Sequence, residues 1–213
     1  MAYRQTAAVE ARLQDNRTRI LHAARALGGW QEAQIANVAT TAGIATGTVY
    51  RYFPSKAELF ADVLARVSQR EVDVLTDIAA SEATAHERLH SMVTTFVRRA
   101  MRNPRLAYAL IAEPCDKAID EVRLQYRAAI SEVVRSVIGD GQTDRSMRSD
   151  VRADIAATVI VGGFMEGLIG PLSPLANTAQ LNEADQRIEI ATLADQIAAL
   201  ACTSVSAKSE VHP

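Results

Sequence analysis

Val38-Ala39-Thr40-Thr41-Ala42-Gly43-Ile44-Ala45-Thr46-Gly47-Thr48-Val49-Tyr50-Arg51-Tyr52-Phe53-Pro54-Ser55-Lys56-Ala57-Glu58-Leu59-Phe60 holds the densest run of structural signals in the chain. Ile35, Val38, Ala39 and Ala42 recur at helical spacing, and Gly43 then supplies a residue free to adopt positive φ and turn the chain sharply. Thr46 to Phe53 reads as a second short helix that turns Val49 and Phe53 inward and leaves Thr48, Tyr50, Arg51 and Tyr52 on other faces. Pro54 closes it, because the residue before a proline is pushed out of the helical region. Ser55 and Glu58 form a capping box for a long helix carrying Leu59, Phe60, Val63, Leu64 and Val67, expected to run to about Ala80.

Outward from this stretch the same period continues. A first helix is expected from about Asn16, with Ile20, Leu21, Ala24 and Leu27 on one face and Gly28-Gly29 as its stop. Further helices are expected at about Thr84 to Met101, Pro104 to Ala112, Asp116 to Ile138, Asp150 to Ile169 and Ala184 to Ala201. Asn103-Pro104, Gly139-Asp140-Gly141 and Pro171 to Asn177 separate them, and the end from Thr203 looks frayed. No stretch alternates with period two long enough for a strand. The 213 residues are 48% hydrophobic but only 5% aromatic and rich in alanine, a mixture that helices favour over sheets.

Composition also excludes classes of function. Cys115 and Cys202 lie far apart and match no Cys-x-x-Cys spacing, so neither a disulfide framework nor a zinc cluster is expected. The N-terminus has no apolar run of signal-peptide type, and a cytoplasmic protein is expected. Ile155 to Leu172 approaches membrane-span length but carries Thr158, Glu166, four glycines and Pro171, and reads as a buried or interface helix, with no membrane partner. Residues 1–56 hold seven basic and three acidic side chains, a net +4; against −2 for the whole chain, the remainder carries −6. Local positive charge of this kind favours a polyanion such as duplex DNA, although a solvated basic face would look the same.

A helix, a sharp glycine turn and a second short helix bearing small, hydroxyl, aromatic and basic side chains is the helix-turn-helix plan for entering a major groove. The wording of residues 38–60 closely resembles the signature of TetR-type (tetracycline-repressor-like, TetR/AcrR) transcriptional regulators. That resemblance implies an all-α fold: an N-terminal three-helix helix-turn-helix DNA-binding domain over residues 1–56, linked through a long helix from about 55. A C-terminal helical bundle for effector binding and dimerisation would fill residues 57–213. It implies base contacts at Thr46, Gly47, Tyr50 and Arg51, backbone contacts at Thr48 and Tyr52, and a phosphate-binding lysine at Lys56. Residue chemistry agrees, since Arg51 can fork onto a guanine and the tyrosines can reach phosphate.

Three departures from the family pattern bear on the operator sequence. Ala33-Gln34 stands where the family has a capping threonine, and Gln34 can still donate to phosphate. Ala45 replaces the usual serine, leaving Thr46 to take over capping, and Ala36 cannot read a base by hydrogen bonding.

A palindromic operator is read by a two-fold dimer, so a self-complementary surface is required. The helix from Asp150, with Val159, Gly163, Glu166 and Gly167, and the helix from Ala184, with Ile197, are expected to supply it, as the last two long helices do in the family. The resemblance also implies a small-molecule effector in an apolar cavity among the middle helices, and Phe96, Tyr108, Tyr126, Phe164 and Met165 are its candidate lining. Core packing accounts for the same residues. Arg123, Arg127 and Glu113 are candidate anchors for a polar effector.

One catalytic string competes. His86-Glu87-Arg88-Leu89-His90 fits the His-Glu-x-x-His zinc pattern, with Glu113 as a conceivable third ligand, but no supporting motif surrounds it and a polar helix face explains it as well. The expectation is therefore a regulator, a repressor released by its effector, with no enzymatic activity, no cofactor and no metal.

Overall fold

The computed structural model describes residues 7–176 and 182–207. They form α1 (Ala7–Leu27), α2 (Ile35–Ala42), α3 (Thr46–Tyr52), α4 (Lys56–Ala79), α5 (Ala85–Ala100), α6 (Pro104–Ile111), α7 (Lys117–Thr143), α8 (Ala153–Leu172) and α9 (Glu183–Val205). Among the described residues the one extended pairing is a single antiparallel bridge between Met147 and Ser206.

Local chemistry accounts for most boundaries. Gly43 sits at φ +65° after α2, and its N–H returns to the carbonyls of the last turn. Ser55 Oγ accepts from the Glu58 amide at 3.1 Å and opens α4. Thr84 and Glu87 complete a reciprocal capping box at α5. Asn103 caps α6 with Pro104 in its first turn, Asp116 caps α7 and Asn182 caps α9.

Four expected boundaries are corrected. α1 begins at Ala7 rather than Asn16, extending the helix through the polar arm. Gly139-Asp140-Gly141 does not end α7, because Gly141 is a packing site: a Cβ there would fall 2.6 Å from Met147 Cγ and 3.0 Å from Ala85 Cβ. Pro171 lies inside the last turn of α8. The chain from Thr203 continues α9 to Val205, which is buried; residues 208–213 lie outside the described ones, as do 177–181 of the expected Pro171 to Asn177 connection.

Two apolar cores result. The first joins α1, α2 and α3 through Ile20, Val38, Val49 and Phe53 to Leu59, Phe60, Val63 and Leu64 of α4, so it continues past residue 56. The second is built by α5, α7, α8 and α9 around Leu89, Met92, Val97, Val134, Val161 and Leu168. Short α6 belongs to both: Leu106 and Ala109 pack into the first core, and Ala107, one residue along on another face, packs into the second. α8 and α9 are long and apolar enough to span a membrane by length and composition alone, yet both pack into this second core.

Candidate nucleic-acid interface and cavity

α3 buries only Val49 and presents its other faces outward. Thr46, Gly47 and Arg51 are exposed, Tyr50 is 50% exposed, and Thr48 and Tyr52 are half-buried. A Cβ at Gly47 would meet nothing within 4 Å, so the fold itself gives no reason for a side chain to be missing there. Ala45 is the N-cap of α3 and makes no side-chain capping bond, which corrects the expectation that Thr46 takes over that role; Thr46 is the first helical residue. Gln34, the N-cap of α2, also makes no capping bond, and its exposed amide donates to the Gln31 carbonyl at 3.0 Å.

The aim of α3 is fixed by α1, a role the α2–α3 sequence does not announce. Arg19 Nη2 donates to the Ala42 carbonyl at 2.6 Å and so holds the end of α2. Arg17 pairs with Asp62 of α4 at 2.8 Å while its guanidinium lies 5.1 Å from the centre of the Phe53 ring. Asn16 Nδ2 donates to the Tyr52 hydroxyl at 3.3 Å.

Lys56 is half-buried, its Nζ 4.2 Å from the centre of the Trp30 ring, and Trp30 meets Phe60 edge-on at 5.4 Å. Burial holds the Lys56 ammonium below the ordinary lysine pKa, while the charges of Glu113 and Glu32 pull it back up. Glu113 itself is buried, and its carboxylate accepts the Trp30 amide at 2.7 Å and the Gln31 amide at 3.3 Å.

A cavity of about 330 Å³ opens between α4, α5, α6 and α7. Val67, Phe96, Leu106, Leu110, Ile130 and Met165 supply apolar lining, whereas Arg25, Arg70, Arg99, Arg102, Arg123 and Arg127 make it strongly cationic. Arg99 is bidentate to Glu71 at 2.6 and 2.7 Å, which raises its pKa. Arg25, Arg70, Arg102 and Arg127 are exposed, and none has a carboxylate partner among the described residues.

Of the expected lining residues, Phe96, Tyr126 and Met165 reach this cavity. Tyr108 and Phe164 do not, because both are turned into the second core, where Phe164 packs on Phe96 with ring centres 4.8 Å apart. Glu113 also lies off the cavity lining, drawn to the Trp30 and Gln31 amides instead. Arg25, Arg70, Arg99 and Arg102 are additional lining that periodicity did not single out. Arg123 and Arg127, one turn apart on α7, carried a readable signal.

On α8 and α9, Ile155, Val159, Ile188 and Leu200 form an exposed apolar set, with Gly163, Glu166 and Gly167 also exposed. Ile197 is half-buried against Gly167 of the same chain, its Cδ1 3.3 Å from where a Cβ would stand. The zinc-like string is accounted for otherwise. Glu87 accepts the Thr84 amide and hydroxyl, His86 Nε2 pairs with Ser206 Oγ at 3.1 Å, and no group of three His, Cys, Asp or Glu side chains arranged for a metal occurs among the described residues.

The sequence pattern described as bacterial regulatory proteins, tetR family, matches residues 20–63, which supply most of the first core. The HTH-type transcriptional repressor KstR of Mycobacterium tuberculosis is 33% identical over 180 residues, covering 70% of this chain and 81% of the relative. KstR of Mycolicibacterium smegmatis is 42% identical over 100 residues, a match that spans 45% of this chain and about half, 48%, of that relative. Among solved structures, the transcriptional regulator FadR from Bacillus subtilis in complex with stearoyl-CoA superimposes with a TM-score of 0.71 at 17% identity, covering 87% of this chain and 97% of that one.

Proposed function

The chain belongs to the tetR family of bacterial regulatory proteins, and from that premise we propose that it is a cytoplasmic, non-enzymatic repressor released from a palindromic operator by an anionic amphiphile. Binding DNA and regulating transcription follow from family membership. The observation that carries the particular reading is an outward-facing short helix followed directly by α4, whose Val67, Ser68, Arg70 and Glu71 line a cationic, apolar cavity.

In this reading residues 1–56 are the reading head and 57–213 the effector and dimerisation domain. Thr46, Gly47, Tyr50 and Arg51 read base edges, and Gln34, Thr48, Tyr52 and Lys56 hold phosphates. Ile155, Val159, Gly163, Glu166, Gly167 and Ile197 belong to a two-fold interface with a second copy, because a set of large apolar side chains left in water gains most by burial against itself. Ile197 contributes there only in part, since it already packs on Gly167.

The effector class follows from the cavity. Its volume lies near the lower end for small-molecule sites, roughly 300–1,000 Å³, so it suits an acyl or ring system while the charged head stays at the four unpaired arginines. The complex of FadR with stearoyl-CoA, an apolar chain on a polyanionic head, supports this class.

Selection from random duplex oligonucleotides is the test. A two-fold symmetric sequence bound by the dimer, and released on titration with stearoyl-CoA but not with free coenzyme A, is the expected result. Enrichment of no sequence would sink the operator assignment; an operator complex indifferent to stearoyl-CoA and to simpler long-chain anions would sink the effector class.

A further inference from the structure

We propose that Glu113 and Arg123 are positioning residues for operator binding, forming a strut that carries the state of the cavity wall straight to the turn between α1 and α2, by a route separate from α4. The inference rests on the reading of the chain as an operator-binding regulator with an effector cavity.

Glu113 is the one buried carboxylate among the described residues, and it lies in the connection between α6 and α7. A buried carboxylate is tolerated only where donors replace its water, and here both oxygens are taken by backbone N–H groups 82 and 83 residues away in sequence, at Gln31 and Trp30. Those amides belong to the turn that leads through buried Ala33 to Gln34, the start of α2. A shift of the turn is therefore a shift of α2 and, through the Gly43 corner, of α3.

The other end of the strut is on the cavity. Arg123 lines it, yet its Nε donates to the Ala109 carbonyl at 3.1 Å and its Nη2 to the Glu113 carbonyl at 2.6 Å as well as to that of Ala109, while Nη1 pairs with Asp120 at 2.9 Å. All three nitrogens of the guanidinium are engaged in holding the end of α6 and the backbone of Glu113. An anion that draws Arg123 into the cavity takes it from those carbonyls. α6, which belongs to both cores, then loses its C-terminal anchor, and the Glu113 carboxylate moves with its backbone. The grip on Trp30 and Gln31 is two-valued, because a half-released buried carboxylate has neither amides nor water.

Trp30 reports on this strut without labelling, since it is the only tryptophan in the chain and stacks under Lys56. The test uses the full-length protein with Glu113→Gln, which keeps the shape but turns an NH2 toward one amide donor, and Arg123→Met, which keeps the aliphatic stem. Each is expected to weaken binding to the selected operator about 5- to 150-fold, the ordinary span of coupling between sites. The double variant is expected to be no weaker than the worse single one, because both changes break the same link. Arg123→Met, which reaches Trp30 through Glu113, is expected to red-shift Trp30 emission. Arg123→Lys, which keeps the charge but cannot fork onto two carbonyls, should do the same while still melting in a single cooperative transition.

Multiplicative losses in the double variant, or unchanged Trp30 emission in both Arg123 variants, would overturn the strut. The fluorescence arm needs no DNA and decides the matter even where the wild type selects no sequence. That outcome would count against the operator reading alone.

Discussion

At the scale of single residues the contrast between Arg51 and Lys56 is instructive. Arg51 stands free on α3, whereas Lys56 is half-withdrawn onto Trp30. Replacing Arg51 by alanine is expected to cost about 1–3 kcal/mol of operator binding and relax selectivity at one base position. Replacing Lys56 is expected to weaken all sequences about equally and reduce the salt slope by about one, as for a lost phosphate contact. Shift assays at several salt concentrations, on the operator and on single-base variants of it, separate the two patterns. Cys115 gives a residue-scale check of the α6–α7 region. Burial, opposed by Arg123, pushes its thiol up to about 11. Below that value the reactive thiolate gains tenfold per pH unit, and since its greater nucleophilicity offsets part of its scarcity, disulfide-reagent labelling at pH 8 is expected to run roughly tenfold slower than for a free thiol of pKa about 8.5. Labelling at the free-thiol rate would show that the connection around Glu113 opens readily.

Elements are held by caps and by tight glycines, and these have measurable worth. Ser55→Ala removes the bond to the Glu58 amide that opens α4, an expected loss of about 1 kcal/mol in urea unfolding. Gly43→Ala places a side chain at φ +65°, an expected cost of about 1–2 kcal/mol. Because its Cβ would also lie 3.1 Å from Arg19 Nη2, the clamp on the end of α2 loosens, and operator affinity should fall with stability. Gly141→Ala tests a different cause. It forces a methyl group onto Met147 and Ala85, an expected loss of about 1–3 kcal/mol with no effect on DNA binding by the folded fraction.

For the whole molecule, the two-fold interface proposed for α8 and α9 is the surface to test. Val159 is 64% exposed, and a carboxylate at that place cannot be buried unpaired in a two-fold interface, where it would meet the face that carries its own symmetry mate. Val159→Glu is thus expected to give a folded monomer in analytical ultracentrifugation and to abolish binding to the full palindrome. A dimer of wild-type stability would relocate the interface. Salt dependence also belongs to this scale, because paired heads sum their phosphate contacts and the slope of log affinity against log salt should approach twice that of one head.

Residues 38–60 were enough to give the helix pair, its glycine corner and the capped helix that follows, since each rests on local preferences of backbone and side chain over a few residues. The long apolar helices were legible too, from their period. What sequence alone misplaced were features whose meaning depends on a neighbour distant in the chain. Gly141 is a notch for Met147 and not a stop, and Tyr108 and Phe164, candidates for the cavity lining, pack in the second core. The arginine-lined cavity and the reach of Glu113 across to Trp30 emerged only when α6 was wedged between two cores. Local signals carry backbone conformation, whereas burial and partnership of charges are set by which helices the packing brings together.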